Sequence, residues 1–216
     1  TFNWNGGTIT GVDDVQVGSQ GGDYKSIFNL NGMTLTTTGT VQVGRGGGSQ
    51  SDEFNFQGGT VNAGSYFMVG GSTAPGGTVV DHNLGDELNT TTHLYVGYAA
   101  NALGVFNQNG GTLNIGNNIL MGALADADGI FNLNVGDLNF TGGGNIDMQR
   151  TGTFNWNDGT ITNVGNVQVG SSGGDFKAVF NLNGHTLDTN SHVQVSRGGG
   201  SQADEFHFQG GIVNTG

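Results

Sequence analysis

Acidic residues in glycine-rich loops are the side chains of this sequence whose types and spacing could do chemistry. They recur at related places in successive segments, for example in the stretch 125–129, which reads Ala-Asp-Ala-Asp-Gly. The candidates are Asp23, Asp52, Glu53, Asp126, Asp128, Asp175, Asp204 and Glu205. Carboxylate oxygens suit Ca²⁺, so stacked loops that gather them could hold this ion, the one cofactor that we consider. The loops match neither an EF-hand nor a Gly-Gly-x-Gly-x-Asp repeat, and we favour the interpretation that these acids are solvated turn residues.

Basic and acidic residues also fall together in a way that would suit polysaccharide cleavage, which needs paired carboxylates, or Ca²⁺ and a base, in a groove. One such set is Lys25, Arg45, Asp23 and Asp52, and it recurs as Lys177, Arg197, Asp175 and Asp204. An active site normally occurs once, whereas this set occurs twice. We therefore expect Lys–Asp pairs between neighbouring loops, which add little stability at a surface, and we expect no enzymatic activity.

Tryptophan and histidine are two further candidates for binding. Trp4 and Trp156 could stack on sugars if they faced outward. Each lies two residues after the anchoring Phe of its repeat, and in other repeats the same position is occupied by apolar residues such as Leu30 and Phe56. The sequence therefore predicts that both tryptophans pack in the core. The five histidines lack the spacing of metal ligands.

A repeated element must position these side chains. The stretch 1–10, TFNWNGGTIT, recurs along the chain about every 26 residues, together with a second phrase, Val-Gln-Val-Gly at 15–18. The first phrase is anchored by Phe2, Phe28, Phe54, Phe106, Phe131, Phe154, Phe180 and Phe206, with a degenerate copy near Val80. A fixed period of this size indicates a repeat architecture. Each unit alternates apolar and polar residues in three segments separated by Gly-Gly or Asn-Gly pairs, which predicts three short strands.

The fold class that follows is all-β. A three-strand unit cannot bury its own apolar face, but stacked units can. We therefore predict a single-stranded parallel β-helix, or β-solenoid, of about 26 residues per coil. Phe would stack on Phe in a core ladder, and the Asn after each Phe would form a second ladder. Residues 153–216 match residues 1–64 at 46 of 64 positions, so we predict one continuous solenoid over 1–216, with a six-coil module at 1–152 and the start of a second copy at 153–216.

The charge balance disfavours some partners. The net charge is −12, with five Lys and Arg residues, whereas nucleic-acid binding needs clustered basic residues. Anionic membrane surfaces are disfavoured for the same reason. The chain has no cysteine and hence no disulfide, and without a long apolar run we expect no membrane insertion of this segment. The sequence starts and stops within the repeat pattern, so we expect it to be an excerpt of a longer chain.

The pattern Phe-Asn-x-Asn-Gly-Gly-Thr-(Leu/Ile/Val) followed by Val-x-Val-Gly resembles the glycine- and asparagine-rich β-strand repeats of large bacterial exported proteins. These include autotransporter-associated β-strand repeats and the repeats of PEP-CTERM-sorted surface proteins. The resemblance covers essentially the whole chain. It implies an extracellular or cell-surface bacterial location and a role as surface passenger, adhesin, or envelope or biofilm matrix component, and no catalytic residues carry over from it.

Three functions follow as hypotheses, and we favour the first. It is an extracellular structural rod or self-assembling filament, such as a surface fibre, stalk or matrix component, whose partner is itself, through end-to-end stacking or continuation of the chain. The second is an adhesin or glycan-binding domain, with the irregular loops Gly71–Val79 and Tyr98–Gly104 as its binding face. The third is a polysaccharide lyase or hydrolase, which needs a non-repeated set of residues in a groove.

Overall fold

A computed structural model describes residues 1–18, 24–45, 50–71, 77–172, 175–196 and 202–216. In these ranges the protein is all-β, without a helix, and every strand pairing is parallel. Equivalent residues of successive coils lie side by side, as Phe2 does with Phe28. The predicted parallel β-helix of about 26 residues per coil is thus confirmed.

The strands are short in most coils, as the sequence predicts. In chain order they are β1 (Phe2–Asn3), β2 (Val15–Val17), β3 (Ile27–Asn29), β4 (Thr34–Thr37), β5 (Val41–Val43), β6 (Glu53–Asn55), β7 (Thr60–Ala63), β8 (Phe67–Val69), β9 (Thr78–His82), β10 (Glu87–Thr90), β11 (Leu94–Val96), β12 (Leu103–Ile115), β13 (Ile119–Met121), β14 (Asp128–Phe140), β15 (Ile146–Met148), β16 (Thr151–Trp156), β17 (Thr160–Thr162), β18 (Val167–Val169), β19 (Val179–Asn181), β20 (Thr186–Thr189), β21 (Val193–Val195), β22 (Glu205–His207) and β23 (Ile212–Thr215).

Two long sheets run along the rod. The first follows the order β1-β3-β6-β9-β12-β14-β16-β19-β22 and carries the Phe positions, with β4, β7, β10 and β17 joined to it. The second follows β2-β5-β8-β11-β13-β15-β18-β21 and carries the Val-Gln-Val phrase. A third sheet pairs β20 with β23. Strand pairing continues without a break across residue 152, where the first predicted six-coil module ends: β14 pairs with β16, and β15 pairs with β18.

In two coils the first and second predicted strands are joined into one. β12 and β14 each span 13 residues and cover both positions. Their pairing shifts register between Gln108 and Asn109 and again before Thr112, so the chain turns this corner within the sheet. Between β6 and β7, by contrast, Gly58 separates the strands with a φ of 82°, a conformation that glycine adopts without strain.

The predicted Phe ladder forms the centre of the core. Phe131, Phe154 and Phe180 are fully buried, and their rings stack at centroid distances of 5.0 and 4.9 Å with interplanar angles of 3° and 1°. Phe2, in the first coil, is 47% exposed. Val80 interrupts the ladder, as the degenerate repeat predicts. The core is therefore a column of stacked rings that runs along the rod axis.

A second interior column lies two residues further along each first strand. It contains Trp4, Leu30, Phe56, His82, Gln108, Leu133, Trp156 and Leu182. The two tryptophans are 5% and 3% exposed, which confirms the prediction that they pack in the core. His82 and Gln108 are fully buried polar members of this column, and the sequence pattern did not predict polar side chains inside the rod.

Asparagine ladders run along the outside of the coils. In the first ladder, Nδ2 of Asn132 donates to Oδ1 of Asn107, and Asn155 donates to Asn132 in the same way, at 2.7 Å each. Asn107 donates in turn to Asp81 at 2.8 Å. This ladder was predicted and is confirmed. Two others were not predicted, and they run through Asn109, Asn134, Asn157 and Asn183 and through Asn62, Asn89, Asn114 and Asn139.

Candidate functional site

Two of the predicted calcium ligands are corner residues whose carboxylates turn inward. Oδ1 of Asp52 accepts a hydrogen bond from the Ser26 amide of the preceding coil at 2.8 Å, and Asp204 accepts one from the Ala178 amide at 2.9 Å. The Asp52 carboxylate fills the space beside Gly18, where no side chain would fit. Burial raises the pKa of Asp52, and the hydrogen bond from Ser26 opposes that shift. These carboxylates stabilise the corner between two coils.

The neighbouring glutamates form ion pairs. Glu53 contacts Nζ of Lys25, and Glu205 contacts Nζ of Lys177 at 2.6 Å. A Lys–Glu contact thus replaces the expected contact with the preceding Asp, because successive residues of a strand point to opposite faces. All four side chains are more than a third exposed, so these pairs add little stability.

The remaining predicted acids are exposed where the structure describes them. Asp126, Asp128 and Asp175 are exposed, and Asp126 occupies a turn with a φ of 56°. The pKa of Asp128 is raised by desolvation and, less strongly, by the charge of Asp126. Asp23 and Arg197 lie outside the described residues. Among the side chains that the structure describes, no group of three or more His, Asp or Glu is placed to hold a metal ion. Asp126, Asp128 and Asp175 thus fit the interpretation as solvated turn residues, whereas for Asp52, which is buried, that interpretation is wrong.

A cluster of tyrosines is the feature of the outer surface that the repeat does not explain. Tyr66, Tyr95 and Tyr98 lie together outside the second sheet, and we call them the tyrosine patch. The Tyr95 ring is central, with centroids 5.2 Å from Tyr66 and 4.8 Å from Tyr98, both in edge-to-face geometry. The His93 ring lies 5.5 Å from Tyr95. All four side chains are half-buried, so part of each ring faces solvent.

The local sequence explains why the patch forms in these coils. Tyr95 is the outward-facing middle residue of β11, between two buried residues. In the outer coils this position is Gln or Asp, as at Gln42, whereas Met68 and Leu120 occupy it on either side of Tyr95. Three consecutive coils therefore carry apolar or aromatic side chains at a position that is polar elsewhere, and of the three only Tyr95 is partly exposed.

The patch is uncharged at neutral pH. Burial raises the pKa of Tyr95, and Tyr98 and Tyr66 add to that shift. Burial lowers the pKa of His93, which keeps its imidazole neutral. Nε2 of Gln42 donates to the Tyr66 hydroxyl at 3.0 Å and so fixes that ring. The surface therefore offers aromatic rings and phenolic hydroxyl groups without a net charge, which suits a neutral polar ligand.

The predicted binding loops overlap this surface in part. The loop Tyr98–Gly104 contributes Tyr98, although its last two residues belong to β12. In the loop Gly71–Val79, residues 72–76 lie outside the described residues, and the last two belong to β9. Sequence reasoning missed Tyr66 and Tyr95. The available signal was the replacement of Gln by Tyr in the second phrase of that repeat.

No known protein family, curated protein or solved structure matches the chain. In the described ranges, no helix has the length and apolar character needed to cross a membrane. The fold alone therefore defines the class of the protein, which is a parallel β-solenoid. The resemblance to bacterial exported repeats stays a prediction.

Proposed function

We propose that the chain is a structural solenoid, a rigid rod segment of an extracellular bacterial fibre, stalk or matrix. The observation that carries this proposal is the in-register stacking, in which the Phe, the Asn and the backbone of one coil meet the same groups of the next coil. These contacts recur from coil to coil instead of converging on one point. Such an arrangement suits a mechanical role rather than a catalytic one.

Stiffness follows from the direction of these contacts. Backbone hydrogen bonds, stacked rings and amide ladders all run along the rod axis, and they lie at different sides of each coil. Bending the rod would lengthen the contacts on one side of the bent coils, so each coil resists bending. The net charge of −12 makes neighbouring rods repel each other sideways. Association along the axis, with further coils of the same kind, is therefore the mode that we propose.

Electron microscopy of the purified protein tests this proposal. We expect straight rods with an axial spacing of about 4.8 Å per coil. Phe54→Asp, which places a charge at a fully buried ladder position, should abolish them. Thr36→Asp is the matched control, because it adds the same side chain at an exposed position where the second copy carries Asp188. Collapsed particles from the unaltered protein, or intact rods from Phe54→Asp, would contradict the proposal.

We infer a second candidate function, binding of a neutral glycan, from the tyrosine patch. Aromatic rings can stack on the C–H faces of a sugar, and phenolic hydroxyl groups can hydrogen-bond to its hydroxyl groups. The patch combines both in an uncharged surface around Tyr95. A rod that carries such a surface would serve as an adhesin, and this role is compatible with a structural one.

A glycan array with matched variants tests this second candidate. Tyr95→Ala removes the central ring and should abolish binding to any neutral glycan that the unaltered protein captures. Tyr24→Ala is the control, since Tyr24 is 85% exposed and lies outside the patch. Equal losses in the two variants, or no capture by the unaltered protein, would remove this candidate and leave the structural proposal in place.

A further inference from the structure

A notch interrupts the corner between the first and second strands of the three central coils. It is a groove of about 590 Å³ whose main lining residues are Leu84, Glu87, Gly110, Gly111, Val135 and Asp137. Gly110 and Gly111 form its floor, where side chains are absent. Leu84 in the preceding coil and Val135 in the following coil form its walls, and they are 88% and 46% exposed. Two exposed apolar side chains therefore flank a pair of glycines, one in the coil before them and one in the coil after them.

The notch spans three coils. Its floor belongs to one coil, and its two walls belong to the coils before and after that one. The strand pairing shows this order, because Glu87 pairs with Thr112 and Thr112 pairs with Asp137. Backbones two coils apart in a parallel sheet are separated by about 9.6 Å. With this spacing and a volume of about 590 Å³, the notch has room for a long side chain together with part of the segment that carries it.

Three carboxylates line the notch: Asp86 is buried and accepts hydrogen bonds from the backbone amides of Gly58 and Asn83, whereas Glu87 and Asp137 are the accessible pair. The second strand of a coil usually begins with Thr, as at Thr34 and Thr60, and these threonines lie side by side along the rod. Glu87 and Asp137 replace this Thr in the coils on either side of Thr112. Nδ2 of Asn89 donates to Glu87 at 3.1 Å, and the Thr160 hydroxyl donates to Asp137 at 2.6 Å. No Lys or Arg lines the notch. The site therefore combines apolar walls with a pair of negative charges.

Buried polar side chains hold the floor from inside the rod. Nδ1 of His82 lies 3.1 Å from the Gly110 carbonyl oxygen, and Nε2 of Gln108 donates to the Asp137 carbonyl oxygen at 2.8 Å. Both side chains are fully buried, and Nε2 of His82 and Oε1 of Gln108 have no partner. Polar groups buried in this way lower stability relative to the apolar residues of the same column. Such departures from the local pattern are concentrated at functional sites.

We propose that the notch binds the side chain of a lysine or arginine presented by a partner protein. The alkyl part of that side chain packs between Leu84 and Val135, as long cationic side chains commonly cover apolar surface. Its ammonium or guanidinium group pairs with the carboxylate of Glu87 or of Asp137, which lie two coils apart along the notch. This proposal does not depend on the tyrosine patch, which lies outside the second sheet, or on the assembly of rods.

The test is a titration of the ¹⁵N-labelled protein, followed by amide chemical shifts, with the Nα-acetyl methylamides of lysine and of arginine. Saturable shifts are expected at Gly110, Gly111 and Thr112, with a dissociation constant on the order of 1–10 mM for such small ligands. The norleucine derivative keeps the alkyl chain without the charge and should bind more weakly. Equal binding of the norleucine derivative, or no saturable shift at these amides, would overturn the proposal.

Variants separate the notch from the general negative charge of the rod. Glu87→Gln and Asp137→Asn should each weaken lysine binding by about two- to five-fold, the effect of removing one exposed ion pair. The double variant Asp81→Asn/Asp188→Asn removes two charges outside the notch and should leave the dissociation constant unchanged. Weakening by this control to the same degree would show diffuse attraction instead of a site.

Discussion

The substitution Phe154→Ala tests whether the ring ladder stabilises the rod. Phe154 is fully buried and stacks on two rings, at 5.0 Å from Phe131 and 4.9 Å from Phe180. Truncation of such a residue leaves a cavity and is expected to lower the free energy of unfolding by about 3–5 kcal/mol. Phe154→Leu keeps most of the apolar volume but removes two stacked pairs, which corresponds to about 1–3 kcal/mol.

Urea unfolding followed by circular dichroism measures these changes. With a slope of about 2 kcal/mol per M, a loss of about 4 kcal/mol lowers the urea midpoint by about 2 M. Phe2→Ala is the matched control, because Phe2 is 47% exposed and stacks on Phe28 alone among the described rings. Its half-burial predicts a loss of about 1 kcal/mol. Hydrogen exchange of amides in the coils next to each site shows where stability is lost.

The reasoning fails if Phe154→Ala and Phe2→Ala lower the midpoint equally. That result would mean that a ring inside the ladder contributes no more than a ring at its edge. It also fails in part if Phe154→Leu matches the unaltered protein, because ring stacking would then add nothing to apolar burial.

Three further predictions concern buried polar groups and glycine. Burial lowers the pKa of His82, so on acidification the unfolded chain binds a proton that the folded chain does not. The free energy of unfolding should therefore fall as the pH drops below about 6.5. His82→Leu should flatten this dependence in unfolding measured from pH 7 to 5. Asp52→Ala leaves the Ser26 amide without its acceptor and should cost about 1–3 kcal/mol in urea unfolding, whereas Asp52→Asn should cost less. Gly170→Ala, at a φ of 72° and against a carboxylate, should lower the melting temperature more than Gly11→Ala, which has a φ of 70° in open space; equal effects would show that the carboxylate is unimportant.

The repeat period was sufficient to predict the register of the rod. Phe, Trp and Asn recur at fixed positions, and in a parallel stack each position must lie beside its own copy. Burial of Trp156 and the ladder through Asn132 and Asn155 follow directly from that rule. The period could not show that Asp52 turns inward, because its loop reads as polar and exposed. That direction follows from its place one residue before the outward-facing Glu53.

The candidate sites lie where the sequence departs from the repeat, and at these positions the repeat pattern did not predict which residues surround the side chain. His82 replaces an apolar member of the interior column, so its burial depends on the coils above and below rather than on its own segment. The tyrosine patch joins Tyr66 with Tyr95, which lie in different coils and pack together outside the sheet. Only the stacking of the coils brings such residues together.

The asparagine ladders give the rod an electrical direction. In each ladder the amide of one coil donates to the coil that precedes it in the chain. The carboxylate of Asp81 can only accept, so Asn107 donates to it and turns its own oxygen towards Asn132. The aligned side-chain dipoles therefore add along the axis, as peptide dipoles do in a helix, with the positive end at the first coil. The dipoles therefore favour opposite directions in two rods that lie side by side and oppose the lateral repulsion caused by the net charge of −12, and a single rod in an applied field aligns with it.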